Sequence, residues 1–184
     1  TTVAPVGVTV TGNSITKTET ADNSWDAGTF SDQVITADGF MSTTVAETNT
    51  TRMIGLSDSD TDVSYASVDY ALDLVSNGSL GVYENGANKG TFGTYSSGDV
   101  LSIQRIGSTI TYLKNGSVFY TSTVASTGDL HVDTSLYTAD ATLNNIVITP
   151  GSIGFIASST NFLINTVTPT ITIADVTGDN TINY

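Results

Sequence analysis

The sequence predicts an all-β fold, an antiparallel sandwich. Three observations carry that reading. Short runs rich in Val, Ile, Thr, Tyr and Phe recur at roughly the eight-to-twelve-residue spacing of sandwich strands. No segment repeats its apolar residues with the period of a helix. Asn-Gly pairs stand between consecutive runs and supply the positive φ angles that two-residue hairpins require.

Taken in order, Val6–Val10, Ser14–Thr18, Gln33–Thr36, Phe40–Val45 and Thr51–Leu56 are β-branched or aromatic runs, separated by Gly, Asn and Asp. Val68–Leu74, Leu80–Glu84 and Lys89–Tyr95 follow, joined at Asn77-Gly78 and Asn85-Gly86. Val100–Ile106, Thr109–Lys114 and Ser117–Thr121 turn at Ile106-Gly107-Ser108 and Asn115-Gly116. The three Asn-Gly turns are expected to chain their strands into one meander. Leu130–Thr134 and Thr142–Ile148 complete the body. Beyond Pro150-Gly151, Ile153–Ile156 and Phe162–Val167 read as two further apolar strands. A boundary near Thr168 divides a sandwich domain, 1–168, from a tail, 169–184, read as a linker and the first strand of a following repeat.

Five basic residues against 18 acidic ones leave a net charge of −13. Such a field repels phosphate backbones and anionic membranes, so nucleic acid is not an expected partner. No apolar run approaches the roughly 18 residues of a membrane-spanning helix, so membrane insertion is not expected. The same charge attracts cations, calcium among them, and favours solubility. Cysteine is absent, and Glu19, Glu47 and Glu84 are the only glutamates. At this size the lack of cysteine suggests a large bacterial surface protein or a cytosolic one, and the shortage of Lys and Glu favours the first.

Catalytic machinery is hard to find. The single histidine, His131, lies mid-strand, with neither a cysteine nor a G-x-S-x-G elbow to work with. Asp58, Asp60 and Asp62 form a D-x-D-x-D run in a polar loop, a pattern that can wrap calcium with oxygen ligands; the Gly and bidentate Glu of an EF-hand loop are missing. Asp175 and Asp179 flank Gly178 in the tail and are a second candidate calcium pair.

Residues from about Val6 to Ile148 resemble a bacterial surface module of the concanavalin A-like lectin/glucanase type. The stretches that carry the likeness are Gly12–Thr18, Ser24–Ser31, Thr51–Asp58, Val82–Arg105, Ile110–Ser122 and Leu130–Ile148. The resemblance implies a jelly roll of two curved sheets and a lectin-like, glycan-binding role. The glucanases of this type carry E-x-D-x-x-E on one strand; that motif is absent, so their hydrolytic residues have no counterpart. The tail Thr170–Tyr184 is similar to the opening strand of immunoglobulin-like repeats in large bacterial adhesins, whose junctions often hold calcium. It implies adjacent domains of an adhesin as partners.

A sugar site needs an aromatic face for the ring and fixed polar groups for the hydroxyls. Trp25 with Asp26, Tyr83 with Glu84 and Asn85, and Tyr112 with Lys114 and Asn115 are the expected ligand-binding residues, with Tyr95, Tyr120, Asp133 and Tyr137 behind them. Arg52 and Arg105 lie in apolar strands and are expected to be buried against aspartates. A glycan-binding adhesin module is thus the leading expectation, a spacer domain the alternative, and a glycoside hydrolase the third.

Overall fold

The computed structural model describes residues 4–18 and 23–151. Its strands are β1 Val8–Thr11, β2 Ser14–Lys17, β3 Phe30–Ile35, β4 Gly39–Thr44, β5 Arg52–Ser57, β6 Tyr70–Leu74, β7 Ser79–Glu84, β8 Ala87–Thr94, β9 Val100–Ile106, β10 Thr109–Lys114, β11 Ser117–Thr121, β12 Leu130–Leu136 and β13 Thr142–Pro150. The only helical element among the described residues is a 3-10 turn, Tyr65–Ser67. Every strand expected before Pro150 has its counterpart. The strands expected at 153–156 and 162–167, and the boundary at Thr168, lie outside the described residues.

All pairings are antiparallel and fall into two sheets. One holds seven strands in the order β1-β2-β13-β4-β9-β10-β11, the other six in the order β3-β12-β5-β6-β7-β8. The expected single meander is therefore two: β6-β7-β8 in one sheet and β9-β10-β11 in the other. Asn-Gly signals are local and say nothing of where the chain crosses between sheets.

The turns also differ among themselves. Asn85 and Gly86 have φ of 49° and 73°, and Asn115 and Gly116 have 51° and 78°, so both central residues are left-handed as a type I′ turn demands. At Asn77-Gly78 only Gly78 is left-handed, with φ 81°. There the Gly78 N–H donates to the Val75 carbonyl at 2.9 Å, and Asn77 Oδ1 accepts from the Ser79 N–H at 2.9 Å. The loop is one residue longer than a type I′ turn.

Between the sheets, Ile15, Met41, Leu101, Ile103, Ile110 and Leu143 meet Ile54, Leu56, Leu72, Leu80, Val82, Val132 and Leu136. Burying each such side chain contributes roughly 1.5–3 kcal/mol. Arg52 is buried as expected, yet its ionic partner is Glu47, at 3.5 Å, and its Nη atoms donate to the Thr50 and Glu47 carbonyls. Arg105 is satisfied by the carbonyls of Ile35, Gly107 and Gly128 rather than by an aspartate. Carbonyls serve these fork-shaped donors because strand ends present them in numbers.

On β5 every residue is buried, because both faces of the strand are covered. Ile54 and Leu56 enter the main core, while Met53 joins Val68 and Ala71 in a second cluster on the opposite face. That second face positions the site.

Candidate functional site

Alternation along the strands of the six-stranded sheet turns Leu72 and Leu74 toward the core and Ala71 and Asp73 away from it. The same rule turns Leu80 and Val82 inward and Gly81 and Tyr83 outward. Two connecting segments, residues 23–29 and 58–69, bring aromatic rings over this outward face. Trp25 stands between Tyr65 and Tyr137, with ring centroids 5.3 and 5.0 Å away and planes tilted by 51° and 45°. Tyr83 meets Tyr65 edge-on at 5.7 Å. All four rings are partly exposed. They line an open groove of about 490 Å³, with Asp73, Asn77, Ser79, Asn88 and Thr91 supplying its polar wall.

The segment carrying Trp25 is held from below by a buried lysine. Lys17 points inward from β2 and is fully buried. Its ammonium donates to Asp26 Oδ1 at 2.7 Å and to the carbonyls of Ser24 at 2.8 Å, Tyr137 at 2.9 Å and Leu136 at 3.3 Å. One cation thus ties together the two residues that flank Trp25 and the backbone of Tyr137, one of its ring neighbours. The Lys17 hydrogen bond also holds the Asp26 carboxyl below the usual carboxylate range.

Asp73 is the unusual member of the groove. It is 8% exposed, and its Oδ1 is buried without a hydrogen-bond partner. Its neighbours in register are Met53 on β5 and Gly81 on β7, neither of which has a side-chain donor. Burial alone pushes its pKa from 3.8 to about 6. Because the folded pKa exceeds the unfolded one, the stabilisation from proton uptake is complete below about pH 4 and is lost as pH rises through 6. Two units correspond to about 2–3 kcal/mol of destabilisation at neutral pH. D73N is therefore expected to raise the melting temperature at pH 7.5, with the gain vanishing near pH 4. A melt of both proteins at the two pH values checks this; an Asn variant less stable at pH 7.5 would contradict it.

No protein-family model and no curated protein sequence matches the chain. Solved structures do resemble it. A human SPRY domain superposes with a TM-score of 0.59 at 13% identity, covering 80% of this chain and 97% of its own. The carbohydrate-binding module CBM66 from Bacillus subtilis gives 0.50 at 14%, covering 81% and 94%. A Bacillus licheniformis beta-glucanase gives 0.50 at 10%, covering 79% and 83%. The fold is a concanavalin A-like jelly roll. At these identities the likeness extends to the fold alone.

The jelly roll gathers some of the expected site residues and separates others. Trp25, Tyr83 and Tyr137 share the groove, with Asp26 anchored beneath. Glu84 and Tyr112 face the core: the Tyr112 hydroxyl donates to Glu84 Oε1 at 3.1 Å, and Lys89 lies 3.6 Å from the other carboxylate oxygen. Glu84 shares the face of Leu80 and Val82, which is why it cannot join its neighbour Tyr83 in the groove. Asn85 and Asn115 serve as left-handed turn residues, and Asn115 also donates to Asp99 at 2.8 Å. Tyr95 is buried and donates to the Val75 carbonyl, while Tyr120 packs on Phe92 at 4.8 Å. Asp133 is buried, accepts from the Ser57 hydroxyl at 2.8 Å, and is pushed up to about 7, chiefly by burial. His131 stacks on Phe30 at 4.6 Å, and its Nδ1 sits 2.7 Å from the Ser31 carbonyl, an acceptor that requires the proton on that nitrogen.

Asp58, Asp60 and Asp62 lie in the loop that follows β5. Asp62 Oδ1 accepts from the Ser64 N–H, Asp58 is exposed, and no three His, Asp or Glu side chains converge on a metal position among the described residues. Asp175 and Asp179 lie outside the described residues. Sequence reasoning missed Asp73, Tyr65 and Lys17. The signal for Asp73 was there: it is the one acid in Tyr70–Leu74, out of phase with Leu72 and Leu74.

Proposed function

We propose that this jelly roll is a non-catalytic carbohydrate-binding module and that the aromatic groove over the six-stranded sheet is its site. The observation that carries the reading is Trp25, partly exposed and fixed between Tyr65 and Tyr137, beside the polar wall that includes Asp73. An aromatic platform takes the C–H face of a pyranose, and a nearby polar row takes its hydroxyls. The opening of the groove supports binding over a spacer role, which would leave no reason for unfilled aromatic surface. A glycosidase needs two carboxylates across the bond; Asp73 is the sole carboxylate lining the groove among the described residues.

The wider setting belongs to the same proposal. A secreted bacterial adhesin with adjoining domains, and calcium at Asp175 and Asp179, rest on the charge of −13 and on the tail sequence. The test is a glycan array run with and without calcium, followed by titration calorimetry on the hits. W25A is expected to weaken binding by about tenfold or more, equivalent to about 1.4 kcal/mol, while its far-ultraviolet circular dichroism stays unchanged. Hits that W25A binds as well as the parent protein would place recognition elsewhere.

A further inference from the structure

We infer that the groove selects a sugar carrying a free amine, with the ammonium seated at Asp73 and the ring lying on Trp25. The inference rests on the carbohydrate-binding reading and names the ligand class for that site. Its starting point is a mismatch: the groove has one charged lining residue, and no cation or hydrogen-bond donor among the described residues answers that charge.

A carboxylate taken out of water is normally met by a cation or by several N–H donors. Several carboxylates here have such partners; the buried Asp133, which accepts from the Ser57 hydroxyl, has no ion pair among the described residues. Asp26 has Lys17, Glu47 has Arg52, and Asp99 has Lys114 and Asn115. Asp73 has neither among the described residues, although it is more than nine-tenths buried. Ser135, one strand beyond Met53, spends its hydroxyl on the Val63 carbonyl at 2.7 Å. The partner missing from the protein is supplied by the ligand.

Three further features favour an ammonium over a hydroxyl. A charged donor makes the stronger bond to a carboxylate. The surrounding Trp and Tyr faces attract a cation as well as a sugar ring. The net charge of −13 draws cationic ligands and repels uronic or sulfated ones. Gly81 keeps the approach open: a Cβ there would lie 3.2 Å from Asp73 Oδ2. Glycine inside a strand commonly marks such a close approach.

The experiment titrates the whole chain with three neutral-pH probes: a glucosamine tetramer, an N-acetylglucosamine tetramer and a glucose tetramer. Glucosamine is expected to bind at least about tenfold more tightly than the other two. D73N is expected to bring all three within about twofold, and Gly81→Ala to weaken the glucosamine complex while keeping the carboxyl. Acetylated or plain glucose probes that bind as tightly as glucosamine, with W25A abolishing them, would overturn the amine selection and leave the carbohydrate reading intact. So would a glucosamine preference that survives D73N. Absence of binding by all three, together with an empty glycan array, would overturn both.

Discussion

Replacing Lys17 with methionine is expected to cost about 3–5 kcal/mol of folding stability and to disable the groove at the same time. The side chain is fully buried, and its ammonium satisfies four acceptors on two segments distant in sequence. Methionine has a similar length and preserves most of the packing, so the loss reads on the charge and its bonds. Asp26 is 38% exposed and can turn to water. The carbonyls of Ser24, Leu136 and Tyr137 are less free, and each buried acceptor left unpaired costs about 1–3 kcal/mol. Chemical denaturation gives the stability change. Trp25 emission in the folded variant reports whether its segment has come loose before global unfolding. Unaltered emission together with a stability loss below about 1 kcal/mol would refute the anchoring role.

Gly55→Ala is expected to be the most damaging glycine-to-alanine change among the described residues. Its Cβ would stand 2.1 Å from the Tyr70 carbonyl oxygen, 2.7 Å from Val68 Cγ1 and 2.9 Å from the Ala71 Cα. Two of those three atoms are backbone of β6, the strand paired with β5, so relief means parting a central pair of the sheet. Overpacking of this kind exceeds the usual 1–3 kcal/mol, and a loss above about 4 kcal/mol, or failure to accumulate soluble protein, is expected. Gly116→Ala provides the contrast. That glycine has nothing within 4 Å of its would-be Cβ, and its φ of 78° is the only obstacle. About 1 kcal/mol is expected there. Comparable losses at the two positions in urea melts would remove the steric argument.

The strands were readable because turn residues bracket them tightly. β9, β10 and β11 match their expected bounds to the residue, each flanked by Gly98-Asp99, Gly107-Ser108 or Asn115-Gly116. Sheet membership was not readable, since the crossing from β8 to β9 leaves no local mark. The face of a residue was half readable. Parity with Leu80 and Val82 places Glu84 inward, and parity with Leu72 places Asp73 outward. What parity cannot say is which outward face receives a cover of rings. That depended on Tyr65 and Trp25, from segments about forty residues apart in sequence, meeting over one sheet. Long-range assembly of loops carries no periodic signal.

One edge of the six-stranded sheet bears on how this protein behaves when crowded. β8 is the terminal strand there, and its pairing with β7 slips twice, between Ser79 and Gly81 and between Val82 and Tyr83. Gly90 and Gly93 within it have φ of 128° and 102°. A strand so bent offers no straight row of N–H and C=O groups for a foreign strand to zip onto. Between many like copies held at high local concentration, pairing through this margin is opposed by its backbone geometry as well as by mutual charge repulsion.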